Sequence, residues 1–143
     1  DPKKVAEFTD SVAEALKYMP YAPQLRISAL TGKRVSNLLP TLNTVYSQYC
    51  LRVQTAALNE VLAAAVSRHE PPMHGSRRTK IFYGVQVSTQ PPTFVLFVSH
   101  PAAIHFSYQR YLTNQIRRAF SLDVTPLRLV FRKRGGRKGK KKR

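Results

Sequence analysis

Chemistry needs side chains close enough to act together, and the first candidates in this chain fail on spacing. His69-Glu70-Pro71-Pro72-Met73-His74 is one residue longer than the zinc-binding pattern H-E-x-x-H. Its two prolines forbid the helical turn that would aim both imidazoles at one ion. His100 and His105 read as loop and helix-start residues, so no metal site is expected. Residues 55–143 contain only Glu60, Glu70 and Asp123 as acids. That leaves no paired carboxylates, and no nucleophile with a histidine and an acid beside it. Cys50 is the single cysteine, which excludes an intramolecular disulfide and reads as a small buried hydrophobe of a cytoplasmic protein.

Cations remain. The chain of 143 residues holds 24 Lys and Arg against 7 Asp and Glu. Residues 1–54 hold seven basic and four acidic groups, whereas residues 55–143 hold 17 basic groups against three acids, a net of +14. The last twelve residues carry nine of the cations and no acid. Such an imbalance selects a polyanion as partner. A membrane is disfavoured: the terminal run has no apolar residue to anchor it, and runs such as 61–66 are far too short to span a bilayer. Residues 1–20 form a charged amphipathic segment and do not read as a signal peptide.

The elements that must position these cations follow from periodicity. Val5, Phe8, Val12, Ala15 and Leu16 predict a helix over 2–18, ended by Pro20 and Pro23. Residues 24–28 read as a short strand, and 34–50 as a helix with Pro40 in its first turns. Thr55 is placed as N-cap of a helix over 56–69, and 70–78 is a loop by composition. Strands over 80–88 and 93–99, a helix over 104–120 and a strand over 127–133 complete the chain. From Thr55 the order is helix-strand-strand-helix-strand, an α+β unit with two helices on one face of a three-stranded sheet. The helix-strand-helix before it looks like the end of an α/β domain, because a lone strand cannot satisfy its own edges. Alternation puts Ile81, Tyr83, Val85 and Val87 on one side of their strand and Phe82, Gly84 and Gln86 on the other. Val95, Phe97 and Val130 likewise oppose Phe94, Leu96, Val98, Leu127, Leu129 and Phe131. Both sheet faces are therefore apolar, and a cover on each is expected: helices on one, another domain or the N-terminal segment on the other.

The segment running from Lys80-Ile-Phe-Tyr-Gly-Val-Gln through Pro91-Pro-Thr-Phe94 to Ser99, followed by Phe106-Ser-Tyr-Gln-Arg-Tyr-Leu-Thr-Asn-Gln-Ile-Arg117, resembles the C-terminal KH-like domain of the Der (EngA) family of bacterial GTPases. Thr55-Ala-Ala-Leu-Asn59 and Thr125-Pro-Leu-Arg-Leu-Val-Phe-Arg132 fit the same family. The resemblance covers essentially the whole chain. It implies a remnant of a second GTPase domain at 1–54, a KH-like domain at 55–132 and a flexible basic tail at 133–143. It also makes Ser28, Ala29 and Leu30 the match of the last guanine-recognition motif, with Ala29 supplying the backbone N–H. The phosphate loop, magnesium-holding and base-specificity motifs are missing from this chain. GTP and Mg therefore belong to the parent protein by resemblance, and this piece should be catalytically inert. The family acts in assembly of the large (50S) ribosomal subunit, which implies ribosomal RNA and the protein's own GTPase domains as partners.

RNA-binding KH domains grip nucleotides with a Gly-x-x-Gly loop between two helices. Here that pattern occurs only at Gly136-Arg137-Lys138-Gly139, beyond the last strand, and the expected place holds Ser99-His-Pro-Ala-Ala103. RNA contact must come from other surfaces. On helix 104–120, Tyr108, Leu112, Ile116 and Ala119 make the buried stripe, with Tyr111 and Phe120 alongside. Arg110, Asn114, Arg117 and Arg118 share another face, where guanidinium forks suit phosphate oxygens. Arg77, Arg78 and Lys80 at the loop and strand start extend the basic area. So do Arg128, Arg132, Lys133 and Arg134 around the last strand, and Arg137, Lys138, Lys140, Lys141, Lys142 and Arg143 in the tail. No residue set suggests base-edge reading.

Overall fold

Val53 is the first residue along the chain to be buried, and every other core residue follows it in a computed structural model that describes residues 2–135. Leu58, Leu62 and Ala65 recur at helical spacing on α3 (Thr55–Arg68), and Tyr108, Leu112 and Ile116 on α4 (Phe106–Phe120). The two stripes meet Phe94, Leu96 and Val98 of strand β4 (Thr93–Val98) and Leu129 of β5 (Arg128–Lys133). Preceding them are α1 (Pro2–Ala15), a 3-10 turn at Val35–Asn37, α2 (Leu38–Tyr49), a small hairpin of β1 (Met73–His74) and β2 (Arg77–Arg78), and β3 (Ile81–Ser88).

The sheet order is β3-β4-β5. Strand β3 lies antiparallel to β4, joined by the tight connection at 89–92, and β5 runs parallel to β4. A parallel pair needs a crossover, and α4 supplies it. The fold is thus α+β, with α3 and α4 on one face of a three-stranded sheet.

Close approach of α3 to β3 depends on Gly84. A Cβ there would lie 2.5 Å from Leu96 Cδ2 and 2.7 Å from Leu62 Cδ1. The glycine backbone is also gripped by Asn59: its Nδ2 donates to the Gly84 carbonyl at 3.0 Å, and Gly84 N–H donates to its Oδ1 at 2.8 Å. Two residues further along the strand, the Gln86 side chain accepts from Val53 N–H at 2.7 Å and donates to the Leu51 carbonyl at 2.9 Å. The Asn59 bonds, with Arg52 donating to the Gln86 carbonyl at 3.2 Å, occupy part of the free rim of β3, which an edge strand otherwise offers to another chain.

Several expectations change. Residues 24–28 form no strand. Apart from the Ser28 N–H to Lys33 carbonyl bond at 3.0 Å, the segment has no ladder to join, and a strand without a ladder leaves its backbone groups to water. The helix expected over 34–50 divides into the 3-10 turn and α2, with Pro40 in the first turn of α2, where its missing N–H costs nothing. Thr55 opens α3 as a helical residue, and Gln54 takes the cap position. The loop at 70–78 contains the β1–β2 hairpin, turned by Gly75 at φ +60°. On β3, irregularities between Ile81 and Tyr83 and between Gln86 and Ser88 break strict alternation. Ile81 consequently packs on the core, not beside Tyr83. Ala119 is exposed, because Phe120, four residues past Ile116, takes the place at the core edge. Cys50 is half-buried and accepts from Gln90 Nε2 at 3.2 Å.

Residues 3–50 contain no buried side chain. Among the described residues, their contacts with the later unit include three at one end of the sheet. Gln90 N–H donates to the Tyr49 carbonyl at 2.9 Å, and Val124 N–H to Gln48 Oε1 at 2.9 Å. The Arg117 guanidinium lies 5.1 Å from the centre of the Tyr21 ring.

Candidate nucleic-acid interface

The other end of the sheet, where β3 begins and β4 and β5 finish, is where cations gather. Lys80 is fixed in place by a pair of bonds with Ser99. Ser99 N–H donates to the Lys80 carbonyl, and Lys80 N–H to Ser99 Oγ, each at 2.9 Å. Arg134 N–H continues the β5 ladder onto the Val98 carbonyl, and its guanidinium sits 4.9 Å from the Phe82 ring centre. The β1–β2 hairpin brings His74 onto His100, with ring centroids 4.3 Å apart. Burial holds His100 below the usual imidazole range, and the neighbouring His74, Lys133 and Arg77 push the same way. Arg77 and Lys133 thus both lie near the His74–His100 pair.

Arg78 behaves differently. It pairs with Glu70 at 2.9 Å and donates to the Pro71 carbonyl at 3.0 Å, so it braces the loop. On α4, Arg110, Asn114 and Arg118 are exposed together. Arg117 turns away from them. It donates to the Leu122 and Thr125 carbonyls and faces Tyr21. Burial lowers its pKa, with Tyr21 and Asp123 acting in the opposite direction. Ser121 in the left-handed region (φ 51°) bends the chain back so that those carbonyls meet the guanidinium. Arg117 thus closes the α4–β5 connection, leaving a two-arginine face.

Arg128 and Arg132 belong to a third surface, the sheet face remote from the helices. Register places Arg132 beside Phe97, and Phe97 beside Tyr83. Tyr83 and Phe97 stack with centroids 4.6 Å apart. Arg128 stands beside Thr93 four residues back along β5. Arg137, Lys138, Lys140, Lys141, Lys142 and Arg143, together with the Gly136–Gly139 pattern, lie outside the described residues. Half-buried Ser28 leads into an exposed turn at Ala29 and Leu30, in which Thr31 N–H donates to Ser28 Oγ at 3.3 Å and Leu30 is 97% exposed. Residues 101–103, between β4 and α4, form a 3-10 turn with Ala103 buried.

Sequence reasoning missed the His74–His100 stack and the Tyr83–Phe97 pair. The strand alternation held a signal for the second, since each aromatic falls on the same side as the valines of its strand. No local signal pairs His74 with His100.

A hollow of about 290 Å³ is lined by His69, Glu70, Pro72, His105, Ser107, Tyr108 and Tyr111. Both tyrosine hydroxyls are already donating, to the His69 and Ala65 carbonyls at 2.8 Å. Burial, aided by Tyr111, pushes Tyr108 up to about 12, far from use as an acid or base near neutrality. Among the described residues no three His, Cys, Asp or Glu side chains gather as a metal site requires, and no helix is long and apolar enough to cross a membrane.

Comparison with known proteins agrees with this architecture. Residues 52–132 match the family described as KH-domain-like of EngA bacterial GTPase enzymes, C-terminal. The GTPase Der of Syntrophobacter fumaroxidans is 51% identical over 135 residues, covering 94% of this chain and 30% of that protein. GTPase Der of Desulforapulum autotrophicum is 44% identical over 137 residues, covering 96% of this chain and 28% of the relative. For GTPase Der of Clostridium botulinum (strain Okra / Type B1) the figures are 47% over 134 residues, 94% and 30%. The chain thus spans about 30% of the length of the curated relatives it matches. With the matched residues taking in α3, α4 and all of the β3–β5 sheet but Lys133, the chain belongs to the Der (EngA) family of bacterial GTPases and carries its C-terminal KH-like domain.

Proposed function

We propose that this chain is the C-terminal part of a tandem-domain GTPase acting in assembly of the large ribosomal subunit, and that its work is binding. Residues 1–54 would close the second GTPase domain, 55–132 form the KH-like module, and 133–143 serve as a basic tail. GTP and Mg would be used by the upstream domains, where the motifs absent here reside. The module would hold ribosomal RNA at its cationic end and its own GTPase domains at the other, in the cytoplasm.

The observation that carries this reading is the separation of the two ends. Tyr49, Gln48 and Tyr21 attach at Gln90, Val124 and Arg117, whereas Arg77, Lys80, Lys133 and Arg134 gather beyond Val98. The six residues of β4 put roughly 17–20 Å between them. That exceeds the Debye length at physiological salt, so the cations act on a ligand with little effect on the docked end. Phosphate contact of this kind is attractive without reading sequence.

A second reading is favoured by Arg117: a side chain expected to face RNA instead ties the module to Tyr21. On that reading the module is a wedge between GTPase domains and the tail alone meets RNA. Cosedimentation with 50S subunits separates the two. Replacing Arg77 and Lys133 by Glu should weaken association at least tenfold, with Arg110→Glu/Arg118→Glu weakening it less. Unchanged association for both pairs would leave only the wedge.

A further inference from the structure

We propose that the sheet face remote from the helices is a stacking platform for single-stranded RNA, with Tyr83 and Phe97 as its base-binding rings and Arg132 as the flanking phosphate contact. This inference rests on the RNA-binding reading above and names the form of RNA and the surface that takes it. The register sets Tyr83, Phe97 and Arg132 in one row across the three strands. The next row is Val85, Val95 and Val130. Val95 at the centre is only 4% exposed, so the floor is dry and close-packed, while Tyr83 stays 40%, Val130 39% and Val87 53% exposed at its rim. Arg128 and Arg132 border this apolar face, and β3, β4 and β5 contain no acid, a charge balance complementary to a phosphate-bearing strand.

Chemistry favours a single strand. Aromatic rings presented on a sheet accept nucleobases regardless of sequence, because every base has a π-face, and duplexed bases cannot reach them. The stacked geometry of the pair, at 23° between planes, leaves ring area open on the outer side of Tyr83. Arg132 extends the row at the Phe97 side, within reach of the backbone of a strand crossing the sheet. Arg134 over Phe82 and Lys80 then lead from this face to the cationic end.

The test uses the 143-residue chain and a fluorescent oligoadenylate, with a duplex RNA of equal length beside it. Tyr83→Leu and Phe97→Leu keep apolar volume and should each weaken single-strand binding roughly 5- to 100-fold. Their salt dependence should not change, Phe97→Tyr should bind like the parent, and Arg132→Gln should flatten the log–log salt slope by about 0.7. Unchanged affinity in both leucine variants, with steep salt dependence retained, would overturn the platform and leave the cationic-end reading standing. Tighter binding of the duplex than of the single strand would overturn it likewise. Absence of RNA binding at any salt concentration would overturn both readings. Leucine variants that keep RNA affinity but lose association with the GTPase domains would assign the face to protein docking and overturn the platform. Should the leucine variants unfold, 2-aminopurine within the oligonucleotide gives a readout on the parent chain: quenching on binding supports stacking, and unquenched binding overturns it.

Discussion

Residues 3–50 and residues 51–135 use similar apolar side chains to opposite effect. Phe8, Leu39 and Leu42 stand 64%, 70% and 52% exposed, whereas Phe94, Leu112 and Ile116 are fully buried. Composition does not separate these groups; partners do. Helices α1 and α2 have their apolar stripes but no sheet to lay them on, while α3 and α4 share one. The contrast teaches that an amphipathic helix records where a neighbour belongs, and that a folded core forms only where that neighbour is present. The exposed stripe agrees with our proposal that residues 1–54 complete a larger domain.

Breaking the contrast from its buried side should give the largest effect. Phe94→Ala removes a ring from the centre of the core and should cost about 3–5 kcal/mol, whereas Phe8→Ala should change stability by about 0.5 kcal/mol or less, both read by denaturant unfolding. Next comes Gly84→Ala. The new methyl must displace buried Leu96 and Leu62, at about 1–3 kcal/mol, and the same substitution at Gly135, where nothing stands within 4 Å, should be nearly silent. Asn59→Ala leaves the Gly84 N–H and carbonyl unpartnered at the rim of β3 and should cost about 1–2 kcal/mol by the same measurement.

The smallest effect sharpens the cationic end. His100 has its pKa held down in the fold, so the unfolded chain binds a proton more readily as pH falls through the imidazole range. Stability should therefore decline on acidification from about pH 7 to about pH 5.5. His100→Gln should flatten that decline, and a bound polyanion should reverse it by restoring the proton's attraction. Thermal unfolding across pH, with and without oligoadenylate, reads both. A decline equally steep in His100→Gln would remove His100 from the account.

How much of this was legible beforehand depends on whether a feature is local. The stripe Tyr108, Leu112, Ile116 announces its own helix, and Phe94, Leu96 and Val98 their own strand, because period and partner lie in the same segment. The expected strand at 24–28 needed neighbours, and its apolar alternation could not supply them. Nor could the sequence reveal that Arg117 turns inward. That depends on Ser121 bending the chain so that the Leu122 and Thr125 carbonyls come within reach. The cationic end was visible as charge but not as geometry: a hairpin of two-residue strands about Gly75 is too short for periodicity, yet it sets His74 against His100.

The central claim is that cations at the end of the sheet and in the tail hold phosphate, away from the end that bears residues 2–50. Affinity for 50S subunits over a salt series, for the full chain and for one ending at Gly135, tests it most directly. We expect the full chain to lose about 10³-fold or more between about 50 and 200 mM salt, and the shortened chain to bind more weakly with a shallower slope. Affinity that ignores salt, or that is the same in both chains and survives Arg77→Glu/Lys133→Glu, would contradict it.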